Sequence, residues 1–285
     1  MSNLKHTIMS ELKNKMIQQM QLKGYSTSSI KNYTECIVGL ANYYKTSPDL
    51  LSVEQVRNYI QFKLIEKKLS KSWVNQIVSA LKILFCEVLK REWSELDIPR
   101  PRREKKLPIV LSKQEVKELI SVTRNLKHRA LLTLKYSSGL RLSEIKNLKI
   151  GDIDSKRMMV RIVQAKGFKD RYSILSPVAL DLLRDYWKTY RPVTWLFETK
   201  KSQAMANKTI QCVFKNALRK TGIKKQVGIH SLRHSFATHM MEQGVSLPII
   251  QQLLGHKSLR TTSVYLHVQK YTLDAVKSPL DSLSS

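Results

Sequence analysis

Apolar residues recur at helical spacing through the first hundred positions. Ile8, Leu12, Met16 and Met20 fall four apart, and Val74, Ile77, Val78, Leu81, Leu84, Phe85 and Val88 share one face of a helix over 73–90. Two more segments carry helix start signals. Segment 26–44 follows Gly24 and a Ser/Thr run at 26–29. Segment 52–67 opens on Ser52 with Gln55 three residues on, the reciprocal pattern that satisfies two backbone N–H groups at a helix start. Residues 1–97 therefore read as a small all-α domain of four helices with short connections. Tyr33, Tyr43, Tyr44 and Tyr59 fit its core or rim.

The pattern breaks at 98–108, IPRPRREKKLP, where three prolines and five basic residues stand together without periodicity. Proline disfavours helix at its own position and at the one before. This stretch reads as an extended basic linker. It is either a plain solvated loop or a tether along a phosphate backbone, with Arg100, Arg102, Arg103, Lys105 and Lys106 as the phosphate-facing cations. A second domain, 109–285, begins with Ser112-Lys-Gln-Glu115, another capping box. Helices are expected at about 127–137, 142–149, 177–190, 207–221, 231–243, 247–254 and 258–268. Between them, Val160 and Ile162, then Tyr172 and Ile174, flank a Lys-Gly-Phe-Lys-Asp turn, which predicts a β-hairpin over 158–176. The fold class is thus mainly α, with a small β-hairpin or sheet in the second domain.

Charge sharpens this picture. Lys and Arg number 50 against 22 acids, a formal +28. Residues 1–100 hold 15 basic and 9 acidic residues, so the remaining 35 and 13 put most of the excess in the second domain. Such an imbalance points to a polyanion partner, and to phosphate contacts whose affinity depends on salt. Charge alone leaves a ribosomal or membrane-surface protein open. No apolar run approaches the roughly 18 residues of a membrane span, and the N-terminus lacks the apolar stretch of a signal peptide. A soluble, cytoplasmic protein without membrane association is expected. Cys36, Cys86 and Cys212 show neither a metal-binding nor a disulfide spacing.

The candidate chemistry sits at element edges. Arg141 follows a glycine turn at a helix start, Lys166 lies at the hairpin tip, His230 and Arg233 open another helix, His256 follows Gly255 as a helix stops, and Tyr265 is nine residues further. Two arginines can clamp a phosphate and stay charged at any working pH. A tyrosine hydroxyl can attack phosphorus covalently. Phosphoryl transfer is mostly positioning and charge stabilisation, which fixed cations can supply. The sequence has no dense carboxylate cluster of the two-metal kind and no GxxxxGK[ST] loop, so the expected chemistry uses no metal, ATP or other cofactor. His230 and His234 stand at i and i+4, a zinc-compatible spacing, but a hydrolytic HExxH site needs Glu where Ser231 stands. His234 and His239 are read as packing or hydrogen-bonding residues, and no residue is assigned to metal.

LRLSEI around Arg141, QAKGFKDR around Lys166, HSLRHSFATHM at 230–240 and LLGHKSLRTTSVYLHV at 253–268 occur in an order and spacing that resemble the tyrosine recombinases, the phage integrase family. The resemblance covers most of 108–268 and is nearest to compact Xer-type and transposon-borne members. It implies a two-domain C-shaped clamp on double-stranded DNA and a tetramer on DNA that joins two sites. It leaves room for an accessory or partner recombinase. It also implies roles. Arg141 and Arg233 would bind the scissile phosphate. Tyr265 would attack it to form a 3′-phosphotyrosyl bond. Lys166, with Lys169 as its rival, would protonate the leaving oxygen. His230 would serve as acid or base toward the tyrosine, His256 would hydrogen-bond the phosphate, and Glu144 would orient the first arginine. Two other readings share this scaffold: a binding protein that has lost activity, and a topoisomerase that relaxes DNA without exchanging partners.

Overall fold

Serine side chains open most of the helices of the first unit, as their positions before apolar runs require. The computed structural model describes residues 2–92, 100, 107–165, 169–199, 202–256 and 258–267. It divides into two units, Met1–Lys105 and Lys106–Ser285, and the division falls inside the Pro- and Arg-rich stretch. The first unit holds α1 (Ser2–Leu22), α2 (Thr27–Tyr44), α3 (Val53–Ile65) and α4 (Lys71–Lys82). The Ser26, Ser52 and Ser70 hydroxyls accept from the N–H of Ser29, Gln55 and Trp73, and the Gln55 side chain returns a bond to the Ser52 N–H. Met16, Met20, Leu40, Val56, Tyr59, Ile77 and Leu81 form its core.

The expected helix over 73–90 is α-helical only to Lys82 and continues as a π-helical turn over Ile83–Val88. Ile83, Leu84 and Phe85 are all buried there. A regular helix turns about 100° per residue and cannot present three consecutive side chains to one side. The wider turn reconciles them with the core. Of the tyrosines, Tyr59 is buried, Tyr33 and Tyr44 pack at its edge, and Tyr43 is exposed against Tyr44, Tyr59 and Phe62.

The second unit follows the predicted order, with three differences, one of them that the helix expected over 258–268 is α-helical only over Leu259–Thr262 and closes as a 3-10 turn at Ser263–His267. It contains α5 (Lys113–Ser121), α6 (Leu126–Ser137), α7 (Leu142–Lys146), β1 (Ile153–Asp154), β2 (Met159–Ala165), β3 (Lys169–Ile174), α8 (Pro177–Tyr190), α9 (Asn207–Leu218), α10 (Ser231–Glu242), α11 (Leu247–Leu254) and α12 (Leu259–Thr262), then a 3-10 turn at Ser263–His267. The helix expected over 142–149 stops at Lys146 and leads through a 3-10 turn, Ile150–Asp152, into β1. β1 adds a third strand to the hairpin, in the order β1-β2-β3, all antiparallel. A two-residue strand is too short to produce a readable alternation.

The two long strands contribute differently to the inward face of the sheet. Val160 and Ile162 point inward, but Tyr172 and Ile174 are on the outer side, 48% and 37% exposed. Arg171 pairs directly across from Ile162 and Ser173 across from Val160, so β3 turns polar residues toward the interior. Ser173 donates to the Ser138 carbonyl at 2.8 Å.

The turn from α6 into α7 depends on a glycine. Gly139 has φ +58°, and a Cβ there would lie 2.4 Å from the Phe236 ring. Gly139→Ala should therefore cost about 2–4 kcal/mol, combining left-handed backbone strain with overpacking. The expected result is a clearly lowered midpoint in thermal unfolding, and an unchanged midpoint would refute this account of the turn.

Candidate active site

A single carboxylate organises the region between α7, β3 and α10. Arg141 is the N-cap of α7, and its backbone N–H donates to Glu144 Oε2 at 2.6 Å, as expected of an acid at the third helical position. The Arg141 side chain returns to the same carboxylate, Nη1 to Oε1 at 2.7 Å. Arg171 reaches it from β3 with two bonds, Nη1 to Oε1 at 2.7 Å and Nη2 to Oε2 at 2.9 Å. Arg233 comes from α10, its Nη1 lying 3.7 Å from Oε2. Glu144 is 5% exposed at its side chain and Arg233 likewise, so water screens these charges poorly. Burial on its own opposes ionisation of Glu144. The hydrogen bonds and charge of Arg171, and then those of Arg141, outweigh it and hold the carboxyl down to about 2.

The same arginines cap a helix end. At the C-terminus of α11, Arg171 Nε donates to the Leu253 carbonyl at 3.1 Å, Arg233 Nη2 to that of Leu254, and Arg141 Nη2 to that of Gly255 at 2.7 Å. Three successive carbonyls that would lack helical partners each receive a guanidinium, at the end of the helix where the dipole favours positive charge. Arg233 also donates to the Gly139 carbonyl at 2.8 Å. Burial first, then the Arg141 charge, press Arg233 down to about 9, still protonated at neutral pH. Gly255 takes φ +61°, and a Cβ there would stand 2.7 Å from the Arg171 side chain. Only glycine fits this stop, and it turns the chain into His256.

The ring groups come next. His256 Nδ1 bonds the Thr262 hydroxyl at 2.9 Å. Burial, then the Arg233, Arg141 and Arg171 charges, lower His256 to about 4. Its ring lies parallel to that of Tyr265, with centroids 6.5 Å apart. Tyr265 is 3% exposed and packs with Phe236, Ala237, Met241, Ile250 and Leu254. Burial raises its pKa, while Arg233 and Arg141 pull the other way. His234 Nδ1 lies 3.0 Å from its hydroxyl. His230 is exposed, caps α10 and precedes His234 by one turn. Partial desolvation, then the charges of Lys135 and Arg233, lower its pKa.

Arg141, Glu144, His230, Arg233, His256 and Tyr265 thus converge. Lys166 lies outside the described residues, as do Arg102, Arg103, Lys105 and Lys106, while Arg100 is exposed. Among the described residues no group of three His, Cys, Asp or Glu side chains could hold a metal ion.

Sequence reasoning missed two groups, Arg171 and Lys135. Arg171 faces inward on β3, opposite Ile162. His234 and His239, read as packing or hydrogen-bonding residues, bond the Tyr265 and Tyr136 hydroxyls. Lys135 is fully buried in the apolar run of α6, and its Nζ donates to the Leu140 carbonyl at 2.6 Å, just before Arg141. Burial, then the Arg233 charge, lower it to about 7.

Removing the carboxylate tests the assembly. The folded pKa of Glu144 lies below the ordinary 4.5, so its stabilisation is complete above about pH 4.5 and is lost as the pH falls toward 2. Glu144→Gln should cost on the order of 3 kcal/mol at pH 7, because three arginines lose their counter-ion. In urea unfolding, the gap between variant and wild type should narrow as the pH drops below 4.5. A gap independent of pH would exclude this role.

Comparison with known proteins agrees with the geometry. The phage integrase family matches residues 110–271, and the phage integrase N-terminal SAM-like domain matches 12–95. Tyrosine recombinase XerA of Pyrococcus horikoshii is 33% identical over 285 residues, covering 97% of this chain and 96% of its own. The crystal structure of XerA recombinase aligns over 95% of this chain and 100% of that one, at 27% identity and a TM-score of 0.56. That of XerH site-specific recombinase, bound to a palindromic difH substrate in a post-cleavage complex, covers 92% and 83%, at 21% identity and a TM-score of 0.72. The similarity spans both units and every described residue of the convergent site, and the chain belongs to the phage integrase family: it is a tyrosine recombinase, an enzyme of site-specific DNA recombination.

Proposed function

We propose that Tyr265 is the nucleophile of this recombinase and that Arg141 and Arg233 hold the scissile phosphate. The observation that supports this most strongly is the shared counter-ion. Arg141 and Arg233 come from different elements, yet Glu144 and the end of α11 hold both in place beside the Tyr265 ring. A guanidinium carries five N–H donors. Arg141 and Arg233 each have donors left for the non-bridging oxygens after their bonds to the protein. Preorganised cations of this kind stabilise charge that develops on phosphorus and need no rearrangement during the reaction.

The Tyr265 oxygen bonds to phosphorus, leaving a 3′-phosphotyrosyl link and a free 5′-hydroxyl. Lys166 protonates the departing oxygen, His230 serves as acid or base toward the tyrosine, and His256 hydrogen-bonds the phosphate. Each step exchanges one phosphoester for another. The bond energy stays in the phosphotyrosine, so rejoining needs no nucleotide and the phosphate charge needs no metal beyond the arginines.

The partner is double-stranded DNA carrying a recombination site. The net +28 supports it, with Arg100, Arg102, Arg103, Lys105 and Lys106 as backbone contacts. The XerH structure, bound to difH, supports the same reading. A strand exchange that joins two sites uses four copies on DNA, in the cytoplasm, where an accessory or partner recombinase has access to the same complex.

The test is covalent trapping. Purified protein is incubated with DNA from its source without divalent metal, quenched in SDS, and the attached ends are sequenced. Wild type should leave protein on 3′ ends at a defined sequence. Tyr265→Phe should leave none while binding DNA with nearly unchanged, salt-sensitive affinity. Adducts that persist in Tyr265→Phe would remove Tyr265 from this role.

A further inference from the structure

We propose that Lys135 is a positioning residue for Arg141 that works through its charge: as an ammonium it holds the Leu140 carbonyl and so seats Arg141, and it gains its proton when a phosphodiester enters the site. The inference rests on the reading of Arg141 and Arg233 as the phosphate-binding pair. It concerns a side chain that the proposed cleavage steps do not use.

Geometry carries the assignment. Lys135 lies in the last turn of α6, a helix whose Leu131, Leu132 and Leu134 are core residues, and it is itself fully buried. Packing alone favours an apolar side chain at this place, because a buried amine loses its hydration. What the amine gains is Leu140. The Lys135 backbone carbonyl accepts from the Leu140 N–H at 3.2 Å, and Lys135 Nζ donates to the Leu140 carbonyl at 2.6 Å. One residue thus holds Leu140 at both ends. The peptide that joins Leu140 to Arg141 is then held on both sides, its carbonyl by Lys135 and its N–H by Glu144 Oε2 at 2.6 Å. The carbonyl before it, of Gly139, takes Arg233 Nη1 at 2.8 Å. A planar peptide bonded at both polar atoms resists rotation, and its orientation sets where the Arg141 side chain leaves the backbone.

The charged form is held against its surroundings. Lys135 faces Arg233, His230 and His234 from α10 and Glu144 from α7, and Glu144 also carries Arg141 and Arg171. Burial first, and then the Arg233 charge, lower Lys135 to about 7, while Glu144 opposes them. Near neutral pH the amine is therefore only partly protonated in the absence of DNA. The nearby rings lose their protons earlier, His234 at about 4 and His230 below the ordinary 6.5. A neutral amine still donates to the carbonyl, but a charged donor makes a hydrogen bond roughly twice as strong. A phosphodiester held by Arg141 and Arg233 adds a negative charge beside this cluster, and an added anion raises the proton affinity of an amine. The proton comes from solvent and forms the third N–H bond of Nζ, and no other bond changes. The hold on Arg141 thus tightens when the substrate is in place.

The experiment compares the full-length protein with Lys135→Met, which keeps the unbranched shape without the charge, and with Lys135→Arg, which cannot shed its charge. Urea unfolding reports the fold of each. The folded pKa lies below the ordinary 10.5, so the penalty for burying the charge is full below about pH 7 and fades as the pH rises toward 10.5. Wild type should therefore gain stability relative to Lys135→Met between pH 7 and 9. A difference that does not change with pH would show an amine fixed in one charge state and overturn the proposal. DNA binding is measured in the Tyr265→Phe background, on a duplex carrying the sequence mapped by covalent trapping, by calorimetry at pH 8 in buffers of different ionisation enthalpy. With Lys135 in place, binding should take up as much as about one proton more than with Lys135→Met, and affinity should fall more steeply as the pH rises above 7. Single-turnover cleavage, with Tyr265 intact, should be roughly 10-fold slower in Lys135→Met, the scale of one hydrogen bond from a charged donor. Lys135→Arg should recover the rate without the proton uptake. Equal uptake with and without Lys135, or a Lys135→Met rate equal to wild type, would refute the proposal. A folded Lys135→Arg as slow as Lys135→Met would do the same, leaving the shape of Lys135 and not its charge as what the turn needs. Cleavage unaffected by Arg141→Ala would instead remove the phosphate-binding pair on which the proposal stands.

Discussion

The buried carboxylate of Glu144 is the interaction on which the site depends. Three guanidiniums gathered in a poorly screened interior repel one another, and none can shed its charge at working pH. A carboxylate bonded to Arg141 and Arg171, and 3.7 Å from Arg233, supplies the opposing charge that makes the cluster tolerable. The bidentate geometry with Arg171 also fixes the plane of the carboxylate, and so the direction from which Arg141 meets it. Because one anion faces three cations, the cluster keeps a positive excess. That excess suits the site to a phosphodiester better than full neutralisation would.

The end of α11 completes the frame. Its last carbonyls are negative ends of peptide dipoles, and each takes a guanidinium N–H from a different element, β3, α10 or α7. This couples the position of the arginines to that of the helix. The helix in turn sets His256, because Gly255 is the only link between them and its left-handed backbone leaves the Arg171 side chain no room for a Cβ. A displacement of α11 would therefore move Arg141, Arg171, Arg233 and the His256 ring together. Lys135 adds a further tie, holding the Leu140 carbonyl immediately before Arg141 from within the apolar side of α6.

Much of the architecture was legible because local chemistry and tertiary structure agree. Ser52 with Gln55 and Ser112 with Glu115 form the capping boxes their spacing announces, and the apolar stripe over 74–88 does enter the core. Arg141, His230 and His256 stand at helix ends, as turn and glycine signals imply. What escaped depends on contacts across the chain. Arg171 is 27 residues from Glu144, and no local rule joins a strand residue to a helix cap. That His234 meets the Tyr265 hydroxyl is a matter of how α10 is rotated against the turn that carries Tyr265. β1 is two residues long, and the π-helical turn after Lys82 answers to core packing, not to propensity.

The histidines and arginines of the site divide its work according to what burial does to each. Desolvation and neighbouring cations push His234 and His256 to about 4, so both rings are neutral in the resting enzyme. The same surroundings leave the arginines charged, with Arg233 at about 9. Permanent charge and exchangeable protons are thus assigned to different side chains by one electrostatic field. An entering phosphate changes that field in a single sense, toward negative, and so affects the two classes differently. It strengthens the hold of the arginines and raises the proton affinity of the rings beside Tyr265. Tyr265, the proposed nucleophile, is buried among Phe236, Ile250 and Leu254, and in that reading it is unreactive until the group it attacks is present. For an enzyme whose chemistry cuts DNA, that order of events follows from the placement of charge alone.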